Sequence, residues 1–158
     1  MIGLYHYGGF VAMSKPSDKR TVELLEILNQ AENSEGLKKY LEDTADYSNT
    51  DFHTYFNNLL EKKQISKSDM VQRSGIERTY LYHILNGSRT PGRDNTLRLC
   101  IGAGLSPEET MRCLELLSIG ILYAKNKRDS IIIYSINRKF SVDETNSLLY
   151  EMGEKPID

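Results

Sequence analysis

Residues 65–91 read ISKSDMVQRSGIERTYLYHILNGSRTP. Ser66 stands where a helix N-cap is wanted, and Met70 and Val71 supply the apolar side of a helix over about 67–74. Gly75 ends that helix, as a left-handed residue just past a helix terminus commonly does. A second helix follows over about 77–86 and is stopped by Asn86-Gly87. At roughly 100° of rotation per residue, Leu81, Ile84 and Leu85 share one side of it, and Arg78, Thr79, Tyr82, His83 and Asn86 share the other. That outer side is rich in hydrogen-bonding groups and holds no acid. Glu77 lies at the helix N-terminus, where a negative charge is favourable.

On both sides of this stretch the pattern stays helical. Upstream, 51–63 predicts a helix with Phe52, Tyr55, Phe56, Leu59 and Leu60 inward. Downstream, a helix begins at Arg93 or Asp94 and ends at Gly102 or Gly104. Ser106-Pro107-Glu108-Glu109 then opens another, with Ser106 as cap, Pro107 in the first turn and Glu109 closing a capping box. The chain next repeats itself at an offset of 35 residues. RDNTLRLCIGAGLSPEETMRCLELL, from Arg93, aligns with RDSIIIYSINRKFSVDETNSLLYEM, from Arg128. Arg93/Arg128, Asp94/Asp129, Ile101/Ile136, Ser106/Ser141, Glu109/Glu144, Thr110/Thr145 and Leu114/Leu149 are identical. A fixed period of this kind marks a repeated supersecondary unit, here a helical hairpin whose copies bury each other's apolar faces. IIIY, β-branched in isolation, is read as helix because its counterpart TLRL lies in a helical pattern. Arg93-Asp94 and Arg128-Asp129, recurring together, read as a structural start-of-helix pair, the other reading of Arg93 being a phosphate contact.

Before residue 51, Ser17 can cap a helix through Val22, Leu25, Ile27 and Leu28. Ser34 can cap a shorter one with Leu37, Tyr40 and Leu41 on one face, and ADYSNTD after it reads as a polar linker. The expected organisation is a flexible extension over 1–16, helices over 17–50, a helical domain over 51–118, and a C-terminal hairpin over 119–158 that repeats 93–123. The fold class is all-α.

The chain has 158 residues, enough for one domain with a short second lobe and no need of staples. No apolar run approaches the ~18–20 residues of a membrane span. MIGLYHYGGFVAMSK lacks a basic n-region and a long apolar segment, so a secretory signal is not expected; residues 1–12 read as an upstream extension or an arm. Cys100 and Cys113 sit among apolar neighbours and read as reduced core thiols, which suits the cytoplasm. Two cysteines and three scattered histidines give no metal spacing. Gly8-Gly9 is isolated, and neither a nucleophile elbow nor a zinc-protease motif appears. Glu108-Glu109 and Asp143-Glu144 read as acids of helix N-termini. No catalytic residue, no cofactor and no enzyme are expected. The net charge is −2, yet residues 51–104 hold eight basic and five acidic side chains, so that segment is where a polyanion would be attracted.

The stretch around 65–91 resembles the lambda-repressor-like helix-turn-helix family, often called the Xre family. The residues that carry the resemblance are Ile65, Ser66-Lys67, Asp69, Met70, Gly75, Ile76, Arg78, Leu81, Ile84, Asn86-Gly87, Arg89 and Pro91, with Leu97, Ile101 and the AGLS ending downstream. Val71 departs from the alanine usual there. The resemblance covers about 51–118 and implies a five-helix domain there; the N-terminal helices and the extra C-terminal hairpin, read from periodicity and from the repeat, lie outside the ordinary family pattern. It further implies that the helix over 77–86 enters the major groove of double-stranded DNA. Arg78, Thr79 and His83, with Tyr82 beside them, would then face base edges, and Lys67, Ser88, Arg89 and Arg93 would meet phosphates. The function so implied is a sequence-specific, dimeric transcriptional regulator, with 119–158 dimerising or sensing a partner or small effector. The rival reading is a helical protein-interaction adaptor, or an antitoxin-like partner-binding protein, whose helix-turn-helix does not touch DNA.

Overall fold

The structure is a computed structural model that describes residues 21–48 and 50–158; the expected extension over 1–16 and the Ser17 cap lie outside the described residues. Among the described residues every regular element is an α-helix. Two compact units are present, Met1–Thr50 and Asp51–Asp158.

In the first unit α1 (Thr21–Asn29) and α2 (Ser34–Ser48) pack on each other. Two local expectations change here. Asn33, and not Ser34, caps α2, its Oδ1 accepting the Gly36 N–H at 2.9 Å. The helix also runs on through Ala45–Ser48, which had read as linker. That segment has no Gly or Pro to break the helix, and Thr44 answers its own hydroxyl inside it by donating to the Tyr40 carbonyl at 2.8 Å.

The second unit begins with α3 (Phe52–Lys62), α4 (Lys67–Ser74), α5 (Arg78–Leu85), α6 (Arg93–Gly102) and α7 (Pro107–Leu116). Phe56, Met70, Leu81, Ile84, Leu99 and Leu105 anchor its first core. Cys100 and Cys113 are free and fully buried there, and burial pushes the Cys100 thiol well above its usual pKa. Where α6 crosses α4, a Cβ on Gly102 would lie 3.1 Å from the Ser74 backbone nitrogen, so a glycine lets the two helices approach.

Helices α8 (Lys127–Asn137) and α9 (Val142–Glu151) complete the unit. Shifted by 35 residues, α7 coincides end for end with α9, and the last residue of α6 coincides with that of α8. The joints match too. Gly104 and Lys139 are both left-handed, at φ 63° and 57°, and Ser106 and Ser141 both form capping boxes. The same joint closes α3 onto α4, with Gln64 at φ 56° and a Ser66–Asp69 capping box.

The two hairpins meet as a pseudo-symmetric pair. α6 packs on α9, and α7 packs on α8. The second core is built from matched positions: Leu97 with Ile132, Ile101 with Ile136, Leu114 with Leu149, and Leu122 with Ile157. The Arg-Asp pairs cross between the copies. Arg93 Nη2 donates to Asp129 at 2.9 Å, and Arg128 donates to both oxygens of Asp94 at 3.0 and 2.9 Å. Each arginine also holds carbonyls of its own copy: Arg93 those of Gly120 and Ile121, Arg128 those of Lys155 and Pro156. When residue i of one copy meets j of the other and j meets i, the contact is isologous, as in a two-fold dimer. Here both halves belong to one chain.

Candidate nucleic-acid interface

The ridge singled out in the sequence lies on α5, and α5 is fixed at both ends. Preceding it, Ser66 caps α4 by accepting the Asp69 N–H at 3.0 Å, and the Asp69 carboxylate accepts the Ser66 N–H at 3.0 Å. Gly75, at φ 66°, turns the chain. Arg98 of α6 reaches that turn, its Nε donating to the Ser74 carbonyl at 3.0 Å and its Nη2 to the Gly75 carbonyl at 2.7 Å. A cation thus closes the C-terminal, negative end of α4. Glu77 then caps α5, its two oxygens accepting the N–H groups of Thr79 and Tyr80, each at 2.9 Å. At the far end Asn57 of α3 donates to the Leu85 carbonyl at 2.7 Å. Leu81, Ile84 and Leu85 are buried beneath.

The outer side of α5 presents Arg78, Thr79 and His83 as exposed residues, with Tyr82 half-buried. Arg78 and Arg89 have no ion-pair or side-chain hydrogen-bond partner among the described residues. Lys67, also exposed, places Nζ 5.5 Å from the centroid of the Tyr82 ring, so the first residue of α4 and the flank of α5 are in contact. Tyr80 packs half-buried against the first core.

Beyond α5 the chain doubles back on His83. Ser88 Oγ lies 2.9 Å from His83 Nδ1 and 3.2 Å from the His83 carbonyl, and the Arg89 N–H donates to that same carbonyl at 3.0 Å. The hydroxyl has one proton. If it goes to the carbonyl, the ring nitrogen must donate to Oγ, which leaves Nε2 of the neutral imidazole as an outward acceptor.

Both acids of this segment are bound to backbone. A Ser66 hydroxyl and the Ser66 N–H hold the Asp69 carboxyl below its usual range, and the N–H groups of Thr79 and Tyr80 do the same for Glu77. Their charges face helix N-termini, which offsets them locally.

One expected contact residue has another task. Arg93, read as a phosphate grip, is bonded to Gly120, Ile121 and Asp129 between the two hairpins. The alternative reading of the repeated Arg-Asp pairs, as structural, accounts for it. In the same way Ile132, Ile136 and Leu149, the apolar side of the segment expected to receive a partner or effector, are buried against α6 and α7. The residues that sequence reasoning missed are Asn57 and Arg98. They hold the ends of α5 and α4 from 28 and 24 residues away, and no local pattern connects them.

Among the described residues no helix is long and apolar enough to cross a membrane. The chain matches no protein-family model, no curated protein and no solved structure.

Proposed function

We propose that this chain is a sequence-specific regulator of transcription that inserts α5 into the major groove of double-stranded DNA. The observation that carries the proposal is the exposed, acid-free ridge of Arg78, Thr79 and His83, with the unpaired Arg78 and Arg89 at its two ends. The resemblance of residues 51–118 to the lambda-repressor-like family supports it from the sequence side.

The chemistry assigns roles. Arg78, in the first turn of α5, is suited to bidentate donation to guanine O6 and N7. Thr79 can hydrogen-bond or meet a thymine methyl. His83, with Nδ1 donating to Ser88, would offer Nε2 to an amino group of adenine or cytosine. Tyr82 and Lys67 would flank the base contacts, Lys67 turning from the ring toward a phosphate. Ser88 and Arg89 would hold the backbone beyond α5, and Arg93 leaves that set. One helix reads only a few base pairs, so the protein would bind a two-fold site as a homodimer.

The test is selection of bound duplexes from a random pool, followed by titration of the enriched sequence against salt. Arg78→Ala should cost about 1–3 kcal/mol on that sequence and relax the preference at one base pair. Arg89→Ala should weaken all duplexes alike and lower the salt slope by about one. If no sequence is enriched and no duplex binds at low ionic strength, the proposal fails and the adaptor reading takes its place.

A further inference from the structure

We infer that the hairpin of α1 and α2 is a dimerisation element, and that its occupant is the same hairpin of a second copy. Leu24, Ile27, Ala31, Gly36, Tyr40 and Thr44 line the cleft between the two helices, which marks the sides they turn toward each other. Rotating by roughly 100° per residue from there, Leu28 and Leu25 follow on one flank of α1, and Leu37 and Leu41 on one flank of α2. The helices are joined by residues 30–33 as an antiparallel pair, so both flanks emerge on the same side of the hairpin. Exposure agrees: Leu25 60%, Leu28 38%, Leu37 42% and Leu41 56%.

No residue from Val22 to Ala45 is buried. A helical segment this small does not sustain itself without disulfides, a metal or association. Both cysteines of the chain lie in the Asp51–Asp158 unit, and the described residues hold no cluster of metal-ligating side chains. Burial of the exposed leucines against another surface remains, and the charges of α2 favour a second copy as that surface. On α2, Lys39 and Asp43 line the cleft toward α1, whereas Lys38 and Glu42, one turn apart on either side of the helix middle, border the side that carries Leu37 and Leu41. A two-fold axis at the middle of α2 sets two copies of that helix antiparallel and brings Lys38 of each to Glu42 of the other, beside Leu37 and Leu41. Four helices then enclose one apolar seam. The pairing would supply the second copy that the proposed two-fold DNA site calls for, and it is tested without DNA, so either idea can fail alone.

The experiment is sedimentation of the full chain over a concentration series, with the thermal transition of Asp51–Asp158 followed in parallel. The wild type should be a dimer. Leu41→Asp should weaken association on the order of a hundredfold, since the change is felt twice at the axis, and leave that transition in place. Lys38→Glu and Glu42→Lys should each weaken it a few-fold, and the double variant should recover. A wild-type monomer across the series overturns the inference. So does a dimer indifferent to all four variants, or a Leu41→Asp protein whose Asp51–Asp158 transition falls, because the face would then cover the chain's own globule.

Discussion

The hairpin of α6 and α7 and the hairpin of α8 and α9 share a pattern, a set of caps and a core, and they differ in what lies on their outer faces. The first copy carries α3, α4 and α5; the second carries nothing comparable among the described residues. The substitutions between the copies follow that difference. Leu99, fully buried under α3–α5, becomes Tyr134, 46% exposed. Arg98, which caps α4, becomes Ile133. Gly102, pressed against the backbone of α4, becomes the exposed Asn137. Positions on the shared inner face keep their character instead: Leu97 and Ile132, Leu114 and Leu149, Thr110 and Thr145 are all buried. Residues of the first copy that depart from the common pattern are therefore those that seat α3, α4 and α5.

The largest effect expected from this comparison lies in the shared core. Leu114→Ala and Leu149→Ala remove side chains that are both fully buried and occupy equivalent positions. Each should cost about 3 kcal/mol, and the two losses should agree closely, as urea denaturation would show. A large loss for one and a small loss for the other would break the symmetry of the two hairpins. An intermediate effect separates the outer faces. Gly102→Val forces α6 away from α4 and should cost about 2 kcal/mol, whereas Asn137→Val at the equivalent exposed site should change stability by less than about 0.5 kcal/mol. Equal costs would mean that α4 does not dictate the glycine.

The smallest effect sharpens the role of the elements that only the first copy supports. Asp51, Asp69 and Glu77 cap α3, α4 and α5, and hydrogen bonds to backbone N–H groups and to the Ser66 hydroxyl hold all three below their usual carboxylate range. Each binds its proton less readily when folded. Their stabilisation is therefore in place above about pH 4–5 and disappears as the pH falls through the lowered values. Glu77→Gln should lose less stability than the wild type between those limits, measured as a difference in urea midpoints; an unchanged acid response would show that Glu77 does not cap α5.

Much of this was legible in the chain. Ser66, Ser106 and Ser141 announce helix starts because a cap needs only the residue and a few neighbours, and the 35-residue period exposes the second hairpin without any knowledge of its packing. Helical rotation alone placed Arg78, Thr79 and His83 outward. What stayed hidden depends on distance in space. Nothing near Arg93 indicates that its carboxylate partner is Asp129, 36 residues on. Tyr82 reads as outward, yet Lys67 at the head of α4 covers part of it. The fold of His83 onto Ser88 is a matter of how the chain leaves α5. In the N-terminal unit, ADYS reads as linker on polarity alone, yet polarity does not stop a helix that meets no Gly or Pro, and α2 continues through it.

The crossed bonds between Arg93, Asp94, Arg128 and Asp129 have a consequence for how the chain finds its shape. Neither hairpin can satisfy its own aspartate, since each arginine grips carbonyls at home and a carboxylate abroad. Aliphatic surfaces accept many alignments at small penalty. A hairpin slid by one helical turn along its twin would still bury leucine and isoleucine, but it would part both ion pairs and leave the buried Asp129 without its arginine. The crossed pairs thus act as a proofreading step for register, rejecting near-miss arrangements that greasy contact alone would let pass.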